Sequence, residues 1–178
     1  MLSDDLWIFG YGSIVWKQEF PFAESASGWI AGWSRRLWQG SLDHRGVPEA
    51  PGRVVTLVAQ PGARCRGMAF RLLDSQREAV LRGLDERESG GFRQTRTHFH
   101  FAGDRRPPAR AVTYVAPPDN PNFLGGAPLE VMVRQVRDAR GCSGSNLDYV
   151  LRLVESLGEF AAEDEELFRV AERLREPA

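Results

Sequence analysis

Short apolar segments, separated by connectors rich in glycine and proline, make up most of the first 116 residues. Aromatic and β-branched residues in these segments predict six strands, at residues 6–9, 29–38, 53–59, 65–73, 92–101 and 109–116. The connectors at 43–52 and 60–63 contain Pro-Gly sequences that favour turns. We expect the last two strands to pair across a turn at 104–108, so that the early chain is mostly sheet.

One helix is predicted between the fourth and the fifth strand. Ser75 and Glu78 have the S-x-x-E spacing of a capping box, and an apolar stripe with helical spacing follows them. The Ser-Gly-Gly sequence at 89–91 should end this helix, because glycine is the residue that most often terminates helices.

Three further helices are predicted in the last third of the chain. Pro128 suits the first position of a helix, and Gly141 suits its end. Asn146 can cap the next helix, and a third should cover residues 164–175. Antiparallel strands followed by helices indicate an α+β fold with a closed or nearly closed sheet of about six strands. We expect residues 1–178 to form a single domain, and the lack of β-α-β alternation argues against a Rossmann-type fold.

The composition indicates a soluble globular protein. The chain is 42% hydrophobic and 26% charged, and its net charge of −1 gives no electrostatic footprint for nucleic acid. No apolar run reaches the roughly 20 residues that span a bilayer, and the acidic start MLSDDLW does not resemble a secretory signal. Cys65 and Cys142 are isolated, so neither zinc nor a disulfide framework is expected. We therefore predict a cytoplasmic protein with no nucleic-acid or membrane partner.

A glycine-containing loop interrupts the apolar sequence WIFGYGSIVW at residues 7–16. Gly10 and Gly12 fit neither the dinucleotide-binding fingerprint nor the phosphate-binding P-loop. Glycines after a strand allow close approach of the backbone, and outward-pointing amides there can hold a carboxylate or an oxyanion. A simple turn explains the same residues, and the loop alone leaves both interpretations open.

The histidines give little support for a metal site. His98 and His100 lie two apart in a predicted strand and so share one face, but no third ligand follows at a suitable spacing. His44 lies in a distant loop, and no G-x-S-x-G sequence marks a nucleophilic serine. We therefore expect no metal and no cofactor.

The end of the first helix carries three carboxylates. At about 100° per residue, Glu88 shares the face of Leu81 and Leu84, whereas Glu86 points outward and Asp85 lies at the rim. Burial and the negative end of the helix dipole would both raise the pKa of Glu88 toward a value useful for proton transfer. Periodicity alone is compatible with a catalytic or a structural role for this residue.

Five segments together resemble the ChaC branch of the gamma-glutamylcyclotransferase superfamily. They are FGYGSIVW (9–16), RRLWQGSLDHRGVPEAPGRVVTLV (35–58), LDERESGGF (84–92), PDNPNFLGGAPLE (118–130) and GCSGSNLDYVLRL (141–153). The long second segment is highly specific, and the resemblance covers nearly the whole chain. Ile14, Leu42 and Gly126 depart from the residues usual in that branch, and Leu42 borders the expected pocket, where it could tune the substrate.

The resemblance implies a small crossed β-barrel-like sheet with flanking helices. It also implies cleavage of the small-molecule substrate glutathione into 5-oxoproline and Cys-Gly without a cofactor. In that reaction the substrate's own α-amine attacks its γ-carbonyl, so the enzyme supplies geometry and proton transfer instead of a nucleophile.

The resemblance also assigns site residues. It makes Glu88 the general base and then the general acid. It makes a substrate-binding loop of Gly10, Tyr11, Gly12, Ser13, Ile14 and Val15, with backbone amides that hold a carboxylate or oxyanion. Further candidates for substrate contact are Arg36, Gln39 and Tyr149, of which Arg36 is equally a candidate for a structural ion pair.

Two other functions are compatible with the sequence. One keeps the cyclisation chemistry but acts on other γ-glutamyl peptides or amines. The other is a non-enzymatic regulatory binding protein linked to cation transport, as the historical label of this branch suggests. The intact Glu88 and the intact loop favour an enzyme, because an adaptor needs no inward-facing carboxylate.

Overall fold

The computed structural model describes residues 5–103 and 105–177, and the chain divides into two compact units. The first unit is Met1–Ser34 with Ala59–Val115, and the second is Arg35–Val58 with Ala116–Ala178. The strands are β1 (Trp7–Gly10), β2 (Glu24–Ser41), β3 (Gly52–Arg71), β4 (Arg93–Phe101), β5 (Ala109–Val115), β6 (Arg140–Gly141) and β7 (Gly144–Ser145). The helices are α1 (Arg77–Arg87), α2 (Leu129–Asp138), α3 (Asn146–Leu157) and α4 (Glu165–Arg175), and 3₁₀ turns cover Ser13–Val15, Asp74–Gln76 and Gly158–Glu163.

The main sheet is a closed barrel in the strand order β1-β3-β2-β4-β5. In the first unit, β1 pairs antiparallel with β3 and parallel with β5, and β4 pairs antiparallel with both β2 and β5. The predicted α+β fold with a closed, mostly antiparallel sheet is therefore confirmed. The pairing of the last two barrel strands is also confirmed, although Asp104, in the turn predicted between them, lies outside the described residues.

The barrel has five strands because one predicted break does not exist. Residues 53–59 and 65–73, expected as two strands, belong to the single 20-residue strand β3. The connector at 60–63 lies inside that strand, where Gly62 has φ +82. Glycine adopts this conformation without steric cost, and Pro61 is exposed to solvent, so the chain passes through both residues and continues as a strand.

Helix α1 packs on the barrel through its apolar stripe. Val80 and Leu84 are buried in a cluster with Ile8, Ile14, Phe70, Leu72, Val112 and Tyr114. The predicted capping box is wrong, because Ser75 lies in the preceding 3₁₀ turn and the N-cap is Gln76, without a side-chain bond. The helix ends at Arg87, one residue before Glu88.

The second unit contains the three helices predicted in the last third of the chain, with revised ends. The N-cap of α3 is Ser145, whose hydroxyl accepts from the Asp148 amide at 3.1 Å. Asn146, predicted as the cap, is buried and bonds both backbone groups of Arg53, at 2.7 and 2.8 Å. The two-residue strands β6 and β7 follow α2, so Gly141 belongs to a small hairpin and does not end the helix. Within the described residues, no helix combines the length and apolarity that a bilayer crossing requires.

Candidate active site

The glycine loop turns tightly at the end of β1. The Val15 amide donates to the Gly12 carbonyl at 3.0 Å, which closes a 3₁₀ turn. The amides of Ser13 and Ile14 precede this bond and have no acceptor within the turn, as is general at helix N-termini. Ile14 is buried in the core cluster and so fixes the turn to the barrel. The Val15 amide is used inside the turn, so the amides of Ser13 and Ile14 stay the candidates for holding an anion, and that role stays a prediction.

Gly10 is required by close packing. A Cβ atom at this position would lie 2.8 Å from Cγ2 of Ile14. On the neighbouring strand, a Cβ at Gly67 would lie 2.3 Å from the Gly10 carbonyl oxygen. Both separations are shorter than real Cβ contacts, so the two glycines allow β1, β3 and the loop to approach one another closely.

Two loop side chains have partners within the protein. The Tyr11 hydroxyl is buried and donates to the backbone carbonyl of Tyr114 at 2.5 Å. The Ser13 hydroxyl accepts a hydrogen bond of 2.8 Å from Nη2 of Arg87. These bonds hold the loop against β5 and the end of α1.

Glu88 is the inward-facing acid of the cluster at the end of α1. Its side chain is 17% exposed, whereas Glu86 is an exposed residue, as the helical periodicity predicted. Asp85, which was expected at the rim, is also exposed. Burial raises the pKa of Glu88 above its ordinary value, and the positive charge of Arg87 offsets only part of this rise. Nε of Arg87 lies 3.5 Å from Oε1 of Glu88. A carboxyl group with a raised pKa is suited to accept and return a proton near neutrality.

Asp85 has a different partner. It accepts a hydrogen bond of 2.7 Å from the hydroxyl of Tyr114. Burial and then this hydrogen bond raise the pKa of Tyr114 above its ordinary value, while a hydrogen bond with Gln94 lowers it. The tyrosine therefore stays protonated at neutral pH and joins the end of α1 to β5.

The second-line candidates all lie in the second unit. Gln39 is fully buried, and its side-chain amide forms reciprocal hydrogen bonds of 3.0 and 3.1 Å with Asn120. Tyr149 is also buried, and its hydroxyl accepts from the Val55 amide at 3.2 Å. Arg36 lies over the ring of Trp38, with 5.8 Å between its Cζ and the ring centroid. These contacts give all three a structural role, and substrate contact by any of them stays a prediction.

The histidines on β4 have ordinary surroundings. His100 stacks on Trp29 with 5.5 Å between ring centroids, and His98 is exposed. Among residues 5–103 and 105–177, no group of three or more His, Cys, Asp or Glu side chains could hold a metal ion. Cys65 is buried, Cys142 is exposed, and neither forms a disulfide with another described residue.

Sequence reasoning did not single out Arg87 or Tyr114. Arg87 directly precedes Glu88 in the segment LDERESGGF, and this position was a usable signal. For Tyr114 there was no comparable signal, because an aromatic residue in an alternating strand is usual in any sheet.

Residues 6–177 match the model of a family described as ChaC-like protein. A Danio rerio protein named glutathione-specific gamma-glutamylcyclotransferase 1 is 44% identical over 155 residues, which cover 86% of this chain and 79% of that protein. Gamma-glutamylcyclotransferase 2-3 of Arabidopsis thaliana is 40% identical over 177 residues, covering 96% and 88%. A crystal structure of a yeast gamma-glutamyl cyclotransferase specific to glutathione has the same fold, with a TM-score of 0.85 at 22% identity, covering 96% and 98%.

Proposed function

The chain belongs to the ChaC-like protein family, and from this premise we propose that it is an enzyme that cleaves glutathione into 5-oxoproline and Cys-Gly. The names of relatives that match most of the chain support this function. The observation that carries it is local: Glu88, a mostly buried carboxylate with a raised pKa, lies 3.5 Å from Arg87, which in turn bonds Ser13 of the glycine loop at 2.8 Å. Arg87 therefore links the acid to which we assign proton transfer with the turn to which we assign anion binding.

The first chemical step is proton removal from the substrate. The α-ammonium of the γ-glutamyl group cannot attack until it loses a proton, and we assign its acceptance to the Glu88 carboxylate. The amine nitrogen then forms a bond to the γ-carbonyl carbon and closes a five-membered ring. Because both reacting atoms belong to one substrate, holding them in a reactive geometry supplies much of the rate.

The second step is departure of Cys-Gly. Ring closure places negative charge on the γ-carbonyl oxygen, and we assign its stabilisation to the amides of Ser13 and Ile14. The bond between the γ-carbon and the cysteine nitrogen then breaks, and protonated Glu88 returns its proton to the departing amine. The attacking nitrogen, which carries two hydrogens and a positive charge after ring closure, releases one proton to solvent and becomes the neutral lactam nitrogen, while the released amine of Cys-Gly takes up one proton from solvent. The carboxylate is ionised again at the end of the cycle, so atoms and charge balance without a cofactor.

We further propose that residues 1–178 act as one γ-glutamylcyclotransferase-like domain in the cytoplasm. The single family match over residues 6–177 supports one domain. The two isolated cysteines support a reducing compartment. The partner is the small-molecule substrate, and neither nucleic acid nor a membrane is involved.

The test is to incubate the purified protein with glutathione and to measure 5-oxoproline and Cys-Gly. Equal amounts of both products from the wild-type protein, and a strongly reduced rate from Glu88→Gln, would support the proposal. A parallel set of other γ-glutamyl peptides tests the broader cyclotransferase, which the less specific name of the Arabidopsis relative favours. No 5-oxoproline from any γ-glutamyl compound would contradict both and favour a binding protein.

A further inference from the structure

Arg87, the last residue of α1, contacts both parts of the proposed site. Its Nη2 donates to the Ser13 hydroxyl, and its Nη1 donates to the Lys17 carbonyl oxygen, each at 2.8 Å. Its Nε lies 3.5 Å from Oε1 of Glu88. The same guanidinium therefore reaches the glycine loop, the chain just after it, and the proposed base.

The chemistry of the guanidinium makes this arrangement rigid. Its donors lie in one plane at fixed angles, so two hydrogen bonds to the loop define the orientation of the group. The side chain is only 22% exposed, which limits the alternative positions it can adopt. Both hydrogen-bond acceptors belong to the protein, so the position of Arg87 is fixed before any substrate arrives.

We propose that Arg87 is a positioning residue, which holds the Glu88 carboxylate in a fixed relation to the Ser13 turn during cyclisation. This inference rests on the proposed function, because it assigns to Arg87 a part in that same reaction. Arg87 acts through Ser13 and Glu88, and no bond of the substrate forms to it or breaks at it. A shift of the carboxylate relative to the turn would separate the base from the substrate that the turn holds.

The charge of Arg87 has a second consequence. Among the described residues, the ionisable groups that interact with Glu88 are the positive Arg87 on α1 and the neutral Tyr114 on β5. The Tyr114 hydroxyl donates a hydrogen bond to the exposed Asp85. Arg87 is itself 3.8 Å from Glu19, which Lys17 approaches at 3.4 Å. Burial raises the pKa of Glu88 and Arg87 lowers it, so loss of the arginine charge must raise that pKa further. The base would then be protonated up to a higher pH.

Three variants separate the positioning role of the Arg87 guanidinium from the effect of its positive charge. Arg87→Gln removes both the charge and the planar fork. Arg87→Lys keeps the charge but loses the fork, because a lysine ammonium is a flexible point donor. Arg82→Gln is the matched control, since it removes one positive charge from an exposed position on the same helix.

The experiment measures kcat/KM for glutathione as a function of pH, together with titration of the Glu88 carboxyl by NMR in each folded protein. We expect Arg87→Gln to lower kcat/KM at neutral pH by about 10- to 100-fold, the scale of a misplaced catalytic group. The acid limb of its kcat/KM–pH profile and the titration of its Glu88 carboxyl should both move to higher pH. Arg87→Lys should show a smaller loss of kcat/KM with the titration unmoved, and Arg82→Gln should match wild type.

The outcomes separate this inference from the proposed function. If wild type makes no 5-oxoproline, the proposed function fails, and the Glu88 titration still decides whether Arg87 controls this carboxyl. If wild type is active and Arg87→Gln behaves like Arg82→Gln in both measurements, the inference is wrong. In Arg87→Gln, a fall in thermal stability with kcat/KM and the titration both unmoved would show a purely structural arginine. If Arg87→Gln does not fold, Arg87→Lys decides through kcat/KM, because an unchanged kcat/KM in that variant would contradict the inference.

Discussion

Two mostly buried carboxylates, Glu88 in the first unit and Asp164 in the second, lie beside arginines that are used differently. Arg35 is fully buried and donates directly to Asp164, whose side chain is 12% exposed. Arg87 is partly exposed and donates to Ser13 and to the Lys17 carbonyl, with Glu88 at 3.5 Å. One arginine is bonded to its acid, and the other is bonded to a neighbouring loop.

The two arginines make proton exchange easier at Glu88 than at Asp164. Burial raises the pKa of both carboxyls above their ordinary values. At Asp164 the charge and the direct hydrogen bond of Arg35 oppose this effect, and at Glu88 only the charge of Arg87 does. Protonating Asp164 would remove the negative charge that is hydrogen-bonded to the fully buried Arg35, so that proton exchange is unfavourable. Protonating Glu88 weakens its ion pair with Arg87 at 3.5 Å, but that arginine keeps its hydrogen bonds to Ser13 and to the Lys17 carbonyl.

The largest effect expected from this comparison is on turnover. Glu88→Gln should lower kcat by about 10²- to 10⁴-fold, because glutamine has nearly the same size but cannot accept the ammonium proton. Glu86→Gln, on the exposed face of α1, is the matched control and should change little. Formation of 5-oxoproline from glutathione is the measurement, and a Glu88→Gln protein that keeps most of its turnover would exclude Glu88 as the base.

The same variant should fold at least as well as wild type. Because the folded-state pKa of Glu88 is raised, its ionised form destabilises the fold above that pKa, and this effect disappears as pH falls through the unfolded value. Glutamine removes the unfavourable charge, which also lies at the negative end of the α1 dipole. An unfolded Glu88→Gln protein would show instead that Glu88 is structural.

Asp164→Asn should lower stability and leave turnover unchanged, which is the opposite of the result expected for Glu88→Gln. Removing one partner of a buried ion pair destabilises proteins by about 3–5 kcal/mol, because the other charge stays buried. We expect urea unfolding to show such a loss, while kcat per folded molecule stays near wild type. Glu165→Gln, at an exposed ion pair with Arg169 on the same helix, is the control and should leave stability unchanged. A loss of kcat without a loss of stability would reverse the roles assigned to the two acids.

Much of the fold followed from local patterns. Alternation predicted β4, and β5 was expected to pair with it across a turn, although β5 is buried from Ala111 to Val115 and shows no such alternation. The turn predicted at 60–63 was wrong, because Pro61 and Gly62 lie inside the continuous strand β3. Strand pairing overrides a local turn preference. Helix ends were also poorly predicted. Ser145 and Asn146 both cap helices well, and only the buried bonds of Asn146 to Arg53 decide between them.

The candidate site was predictable where one element carries the information. Helical periodicity alone placed Glu88 inward and Glu86 outward. The bond from Arg87 to Ser13 joins residues 74 positions apart, and no local pattern encodes it. Gln39 and Tyr149 were chosen by resemblance, which cannot distinguish a polar side chain facing the substrate from one paired inside the protein.

In the proposed mechanism, the ionisation of Glu88 sets how activity depends on pH. A base must be ionised, so activity should fall as pH drops through the pKa of Glu88. Because burial raises that pKa, the acid limb of kcat/KM should lie above the ordinary value for a glutamate. Asp164→Asn should leave the limb in place, since the proposed mechanism assigns no proton transfer to Asp164. An acid limb at the ordinary value or below it would argue against a buried base.

Binding of the product gives a smaller and more local signal. We expect 5-oxoproline to bind against the backbone of Tyr11, Gly12, Ser13 and Ile14, within hydrogen-bond distance of the amides at the turn. A crystal structure of the complex is the measurement. A 5-oxoproline group more than about 6 Å from these amides, beyond any direct hydrogen bond, would show that the loop is only a turn.

Removal of metal ions should have no effect on activity. This experiment tests whether Glu88 works as a base or as a metal ligand. The proposed cycle moves one proton from the substrate amine to Glu88 and then to the departing amine, so it needs neither a divalent ion nor a nucleotide. Activity should therefore survive exhaustive treatment with EDTA, measured as 5-oxoproline formed before and after chelation. Glu88→Gln protein, assayed with added divalent metal, is the control for adventitious catalysis. Loss of turnover with EDTA and its return with a metal ion would overturn the proton-transfer role of Glu88. It would also direct attention to His98 and His100, whose positions two apart on β4 are the sequence feature that first raised a metal site.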